Sequence, residues 1–197
     1  MTASTQDDVA IRSYGPGHVP ALLDTLADIW ADAHPELVDT PGGTTDGLSS
    51  DALRRQITGH ARREGFVLVV AYAHGSPVGF TYAFPATPEY WYGPDLLPHI
   101  PEHIRAGRLM GLCELAVTPA WQGRGIGTRL HNQLVTAIAP DWSSLLVHPD
   151  NPRGRALYDR LGYTYAGPYR NELGGPVYDL LVLQVETDKR PPTCASA

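Results

Sequence analysis

Residues 109–130 read LMGLCELAVTPAWQGRGIGTRL. The apolar run Leu109–Val117 has the character of a strand, and Thr118-Pro119 ends it. Gly123, Gly125 and Gly127 then fall inside five residues. A helical spacing begins at once, with Ile126, Leu130, Leu134 and Ile138 recurring every four residues until Pro140. A strand that enters a helix through a glycine loop is a βα unit. Bare glycine backbone at a helix start exposes N–H groups where the helix carries partial positive charge, so such a place binds anions, phosphate above all. Arg124 and Arg129 can add charge-assisted contacts. Close packing of the turn is the competing explanation for the same glycines.

The rest of the chain extends the same α/β pattern. Val9–Tyr14 is a short extended segment, and Pro20–Ala33 carries Leu22, Leu23, Leu26, Ile29 and Trp30 at helical spacing. Asp39–Ser49 reads as a loop, and Ser50 or Asp51 can cap a second helix to about Glu64. Phe66–Ala73 is a strand covered on both faces, and HGSP turns it into a hairpin partner at Val78–Phe84. Ser144–Val147 is a further strand. Asn151-Pro152 starts a helix that ends at Gly162. Tyr163–Ala166 and Val177–Val185 are the last strands, split by a Gly/Pro turn. The expectation is one α/β domain over residues 1–187, a mixed and twisted sheet of about six to seven strands with about four helices, and a tail at 188–197. Pro85–Arg108 interrupts this order with five prolines and the cluster Tyr90-Trp91-Tyr92. It reads as a long irregular functional loop.

Composition limits the partners. The chain has 197 residues, 43% of them apolar and 18% charged, and a net charge of −6. An acidic chain without a basic stripe is not expected to bind nucleic acid. No apolar run approaches the ~18 residues of a membrane span, and MTASTQDDVA is unlike a signal peptide. With only Cys113 and Cys194, no disulfide framework is expected, and the cytoplasm is the expected compartment. His99 and His103 have a metal-like spacing, but Pro101 spoils the helix and no third ligand is evident, so no metal is expected.

The phosphate guest can be narrowed. A P-loop needs a lysine that this glycine run lacks, and a dinucleotide fingerprint needs G-x-G-x-x-G where this chain has G-x-G-x-G. Gln122-Gly123-Arg124-Gly125-Ile126-Gly127 resembles instead the Q/R-x-x-G-x-G/A signature of the GNAT superfamily of acyl-CoA-dependent N-acyltransferases. Asn151–Tyr163, NPRGRALYDRLGY, resembles that family's second motif, N-x-x-(A/G)-x-x-L-Y-x-x-x-G-(F/Y). With the element order, the resemblance spans about Val67 to Val185. It implies a GNAT-like fold and acetyl-CoA as co-substrate. Backbone N–H groups from Gln122 through Gly123, Arg124, Gly125, Ile126, Gly127 and Thr128 would hold the pyrophosphate. Leu115, Ala116 and Val117 would pair with the pantetheine arm and offer an oxyanion donor. It further implies that this strand and Ser144–Val147 splay apart, and that the chain is a monomer or a homodimer.

The same resemblance gives Glu114 the role of a base acting through water, and Tyr158 that of the acid to the leaving thiolate. By strand alternation Leu112, Glu114 and Ala116 would share one face and Cys113, Leu115 and Val117 the other. Glu114 could equally be an ion-pair partner or a substrate anchor, and Tyr158 a packing residue. Asn151 is a cofactor contact by resemblance and a plain helix cap by position. Tyr90, Trp91, Tyr92 and Trp30 could line an acceptor pocket for a small amine, or pin the insert to the core. A longer acyl-CoA, a peptide amine and a silent CoA-binding module remain the alternatives.

Overall fold

The computed structural model describes residues 9–35, 49–170 and 176–186. The expected loop up to residue 48, part of the Gly/Pro turn before the last strand, and the expected tail at 188–197 lie outside these. The described elements are β1 (Val9–Tyr14), α1 (Val19–Ala33), α2 (Ser50–His60), β2 (Val67–Ala73), β3 (Ser76–Ala86), α3 (Pro88–Leu96), α4 (Glu102–Arg105), β4 (Leu109–Val117), α5 (Ile126–Ile138), β5 (Trp142–Val147), α6 (Pro152–Leu161), β6 (Thr164–Tyr169) and β7 (Tyr178–Gln184). They build a seven-stranded mixed sheet in the order β1-β2-β3-β4-β5-β7-β6. All neighbours are antiparallel except β4 and β5, which run parallel. This is the expected α/β mixed sheet.

Both faces of the sheet are covered, as the near-continuous apolar strands require. On one face, Ile126, Leu130 and Leu134 of α5 and Tyr158 of α6 pack with Val69, Met110, Leu112 and Leu145. On the other, Leu26, Ile29 and Trp30 of α1 and Leu53 and Ile57 of α2 pack with Leu68, Phe80, Tyr82 and Phe84. A third cluster joins Tyr92, Ile100 and Ile104 to Leu109, Leu180 and Val182.

Two expectations need correction. The insert 85–108 is not an irregular loop. It begins as the end of β3 and then forms α3, a 3₁₀ turn at Leu97–His99 and α4. Its prolines serve rather than break these turns: Pro88 opens α3, where a missing N–H costs nothing, and Gly93 at φ 67° ahead of Pro94 kinks it. The cap of α2 is Ser49, whose Oγ accepts from the Ala52 N–H at 3.0 Å, and α2 ends at His60.

Candidate functional site

The site is set by how little β4 and β5 pair. Only Leu109, Met110 and Gly111 are matched, to Trp142, Ser143 and Ser144. Beyond them β4 runs on to Val117 and β5 to Val147 without partnering each other. The strands part at Gly111 and Ser144, so residues 112–117 present an edge inside the sheet rather than at its rim. An unpaired strand edge offers backbone N–H and C=O groups to a ligand.

The glycine loop lies at the far end of that edge. Gly123 and Gly125 have φ of 74° and 75°, and a Cβ on either would meet nothing within 4 Å. Their glycine identity is a backbone requirement, and their outer side is open. Gly125 is the N-cap of α5. Among the described residues no side chain caps this helix, and its first turn holds no acid. Gly127 serves packing instead. A Cβ there would stand 3.0 Å from a Leu157 methyl, so glycine lets α5 approach α6. Gln122 fastens the loop, its Nε2 donating to the Val117 carbonyl at 2.8 Å and its Oε1 accepting from Arg153 at 3.1 Å. Arg124 stacks on the Trp121 ring, 4.7 Å from its centroid. The Arg129 guanidinium donates to the Val9 carbonyl, which ties α5 to β1 and removes it from the charge expected at the loop.

Glu114 sits on the open edge, but not as simple alternation predicts. Tyr82 pairs with Glu114 and Ala83 with Leu112, which leaves Cys113 as the extra residue of a bulge. Leu112 therefore packs on the α5 side with Leu115 and Val117, while Cys113 and Ala116 pack on the α1 side. Thr81 Oγ1 donates to the Glu114 carbonyl at 2.6 Å beside the bulge. The carboxylate accepts from the Leu115 N–H at 3.1 Å. Burial raises its pKa above the ordinary 4.5, and the nearby His34, the Leu115 N–H and Trp30 oppose that rise. Burial dominates, so this is a carboxyl easier to protonate than usual.

Tyr158 comes from the opposite face. Its ring is buried and meets Tyr163 edge-on, centroids 5.5 Å apart. Burial pushes the Tyr158 phenol far up, helped by Tyr163 and by Glu114. The fold thus brings Glu114 and Tyr158 within electrostatic reach across the parted strands. Asn151 caps α6, its Oδ1 accepting from the Gly154 N–H at 2.8 Å, so its side chain has a structural role.

The aromatic residues expected to line an acceptor pocket are divided by the fold. Trp30 is buried and reaches Glu114. Trp91 is half-buried, and its ring lies on Gly111 where the strands part; a Cβ there would be 2.3 Å from it. Tyr90 is exposed and carries the Arg63 guanidinium 3.9 Å above its ring. Tyr92 is 1% exposed among Ile100, Leu109 and Leu180, so it pins the insert and does not face a pocket. His34 is a neighbour of Glu114 that no sequence motif marks. The available signal is its position one helical turn after Trp30. Among the described residues no group of His, Cys, Asp and Glu is placed to hold a metal, and no helix is long and apolar enough to cross a membrane.

Known proteins share this architecture. No curated protein matches the sequence. Among solved structures, PaiA N-acetyltransferase of Thermoplasma acidophilum, in complex with coenzyme A, is 13% identical with a TM-score of 0.55, covering 90% of this chain and 99% of that one. YncA of Salmonella typhimurium, with acetyl-CoA, is 17% identical at a TM-score of 0.54, covering 95% and 99%. Arabidopsis thaliana NAA60, with a bisubstrate analogue, is 18% identical at 0.60, covering 90% and 99%. The family model for the acetyltransferase (GNAT) family matches residues 23–163, most of the chain. The chain belongs to the acetyltransferase (GNAT) family.

Proposed function

We propose that the protein is an N-acetyltransferase that moves an acetyl group from acetyl-CoA to the primary amine of a small molecule. The supporting observation is the open edge of β4, which carries Glu114 within electrostatic reach of Tyr158 and runs toward a glycine loop that leads into an uncapped helix. The loop fits the coenzyme's pyrophosphate. Its left-handed glycines leave open space where side chains would stand, and the start of α5 offers N–H groups without a competing acid. Gly123–Thr128 would hold the pyrophosphate, and the edge Leu115–Val117 the pantetheine arm. When bound, the coenzyme supplies an acetyl group activated as a thioester.

The chain's own residues then divide the proton work. The Glu114 carboxylate takes a proton from the acceptor ammonium, directly or through a water, and its burial favours the protonated product. A backbone N–H of Leu115–Val117 stabilises developing negative charge on the carbonyl oxygen. Tyr158 keeps its proton on the phenol oxygen at neutral pH and can give it to the departing sulfur. Acceptor choice rests with Trp91 at the fork and Tyr90 at its rim.

Thiol release from acetyl-CoA, measured over a panel of amines, tests this reading. Release that depends on a small primary amine supports it. Absence of CoA binding by calorimetry overturns it. Turnover only with peptide N-termini or only with longer acyl-CoAs replaces the acceptor or the acyl group. Binding without any turnover makes the chain a silent CoA-binding module.

A further inference from the structure

Among the described residues, three buried side-chain polar atoms have no hydrogen-bond partner: Trp91 Nε1, the Tyr92 hydroxyl and Ser144 Oγ. The fold gathers them. Gly111 of β4, Ser144 of β5 and Val182 of β7 are register partners in one row across the sheet. Matched residues of neighbouring strands point to the same face. On that face the Trp91 ring lies on Gly111, and Tyr92 packs with Leu109, Leu180 and Val182. Ser144 therefore stands between the two aromatics of the insert, with no side chain beside it from Gly111. The row is also the last in which β4 and β5 pair, so it is the closed end of the fork. Trp91 packs in addition with the α1-side cluster, which contains Tyr82, the cross-strand partner of Glu114. At about 3.4 Å per residue, Glu114 stands about 10 Å along β4 from Gly111.

The chemistry of the three groups selects their guest. Leaving a buried polar group unpaired costs stability, and three such groups in one place are rare in folded proteins. A ligand that pairs them offsets that cost, and one that lacks the matching atom is rejected. The indole N–H only donates, and each hydroxyl can donate. Burial raises the pKa of the Tyr92 phenol and Ser144 opposes the rise, so the phenol keeps its proton at neutral pH, yet no hydrogen bond joins the two hydroxyls. The guest is therefore an acceptor of hydrogen bonds. None of the three residues is a cation, so a neutral carbonyl oxygen suits them better than a carboxylate, whose buried charge would stay uncompensated.

We propose that Trp91, Tyr92 and Ser144 form a subsite for a neutral carbonyl oxygen of the acceptor, so that the substrates are primary amines carrying an amide or ketone group within about 10 Å of the nitrogen. This rests on the acetyltransferase reading above. The three atoms are covered while the Trp91 ring lies on Gly111, and the indole shifts to admit the oxygen. Trp91 is the half-buried member of the three, and α3 leaves helical geometry two residues on, at Gly93 with φ 67°. The subsite binds and orients the acceptor and takes no part in the proton transfers.

Two measurements test the subsite. The first needs no turnover. Ser144→Ala and Tyr92→Phe remove only the hydroxyls. Both variants are expected to melt at or above the wild-type temperature, because an unpaired buried polar group gives way to an apolar one of like shape. A fall of about 2 °C or more in either shows its hydroxyl to be paired in the free protein and overturns the subsite. The second measurement compares shape-matched amines with acetyl-CoA: β-alaninamide against 3-methylbutylamine, and 4-aminobutanamide against 4-methylpentylamine. The wild type is expected to favour the amide of a pair in kcat/KM by about 10²-fold, and each variant to narrow that ratio about tenfold. Comparing the ratio between proteins cancels the amines' own basicities. A wild type indifferent to the oxygen, turnover confined to amines without a carbonyl, or variants that keep the full preference overturns the subsite and leaves the acetyltransferase reading standing. Absence of thiol release with every amine of the wider panel fails that reading, and the subsite falls with it.

Discussion

The N–H of Leu115 donates to the carboxylate of Glu114, the residue before it, at 3.1 Å. That N–H belongs to the stretch of β4 that has no partner on β5. The carboxylate thus occupies a donor that an incoming ligand could use, and the protein keeps both at the open edge. The folded-state pKa of Glu114 is raised above the ordinary 4.5 because burial outweighs its three favourable contacts. The folded state then binds more protons than the unfolded chain, so stability falls as pH rises from about 4.5 through the folded pKa. Glu114→Gln removes that loss. Its melting temperature is expected to exceed wild type at pH 7–8 and to equal it near pH 4. Melts across this range check the sign; a variant less stable at pH 8 would show that the favourable contacts win.

Tyr158→Phe keeps the ring that packs on Tyr163 and removes only the phenol oxygen. Turnover is expected to fall by about 10²-fold while calorimetric CoA affinity stays within about twofold, because a proton donor acts in the transition state and not in binding. The pKa of Tyr158 is raised by burial, so its proton stays in place through neutral pH. No fall in rate attributable to Tyr158 is then expected below about pH 10. An undiminished kcat would take Tyr158 out of the reaction.

Gly111→Ala probes the fork itself. The new Cβ would lie 2.3 Å from the Trp91 ring, a contact that only movement of the indole can relieve. Trp91 is expected to leave its place where the strands part, with a change in tryptophan fluorescence. The acceptor KM should rise several-fold and CoA affinity should hold, since the glycine loop is remote from Gly111. Unchanged fluorescence would mean that the strand shifts instead.

What is legible in the sequence follows from where local signals agree. The bounds of β4 and α6 are those that the apolar pattern, Asn151-Pro152 and Gly162 predict. There propensity, capping and burial point one way. The insert is opaque because α3 and α4 are short and without apolar period, and a run of prolines looks like a break when Pro88, Pro98 and Pro101 open turns. The bulge at Cys113 leaves no signal, since neither Gly nor Pro marks it, yet it decides which side chains share a face with Glu114. The glycine motif locates the anion loop but cannot assign Gly127 to helix packing, which depends on Leu157 from another element.

A buried polar network behind Tyr158 supplies a last prediction. The Tyr163 hydroxyl meets His131 Nε2 at 3.0 Å and Ser143 Oγ at 2.5 Å, and His131 continues to the exposed Asn132 at 3.3 Å. His131 and Ser143 are 2% and 0% exposed, so neither can turn to solvent for a replacement partner. Tyr163→Phe keeps the ring against Tyr158 and strands both polar groups. Leaving buried groups unpaired costs about 1–3 kcal/mol, a fall in melting temperature of roughly 2–12 °C for a domain of this size. Because the edge-on contact with Tyr158 survives, kcat measured well below the melting point is expected within about threefold of wild type. Thermal melts and kinetics on the same preparation separate the two effects. A large fall in kcat with an unchanged melting temperature would move Tyr163 from the scaffold into the reaction.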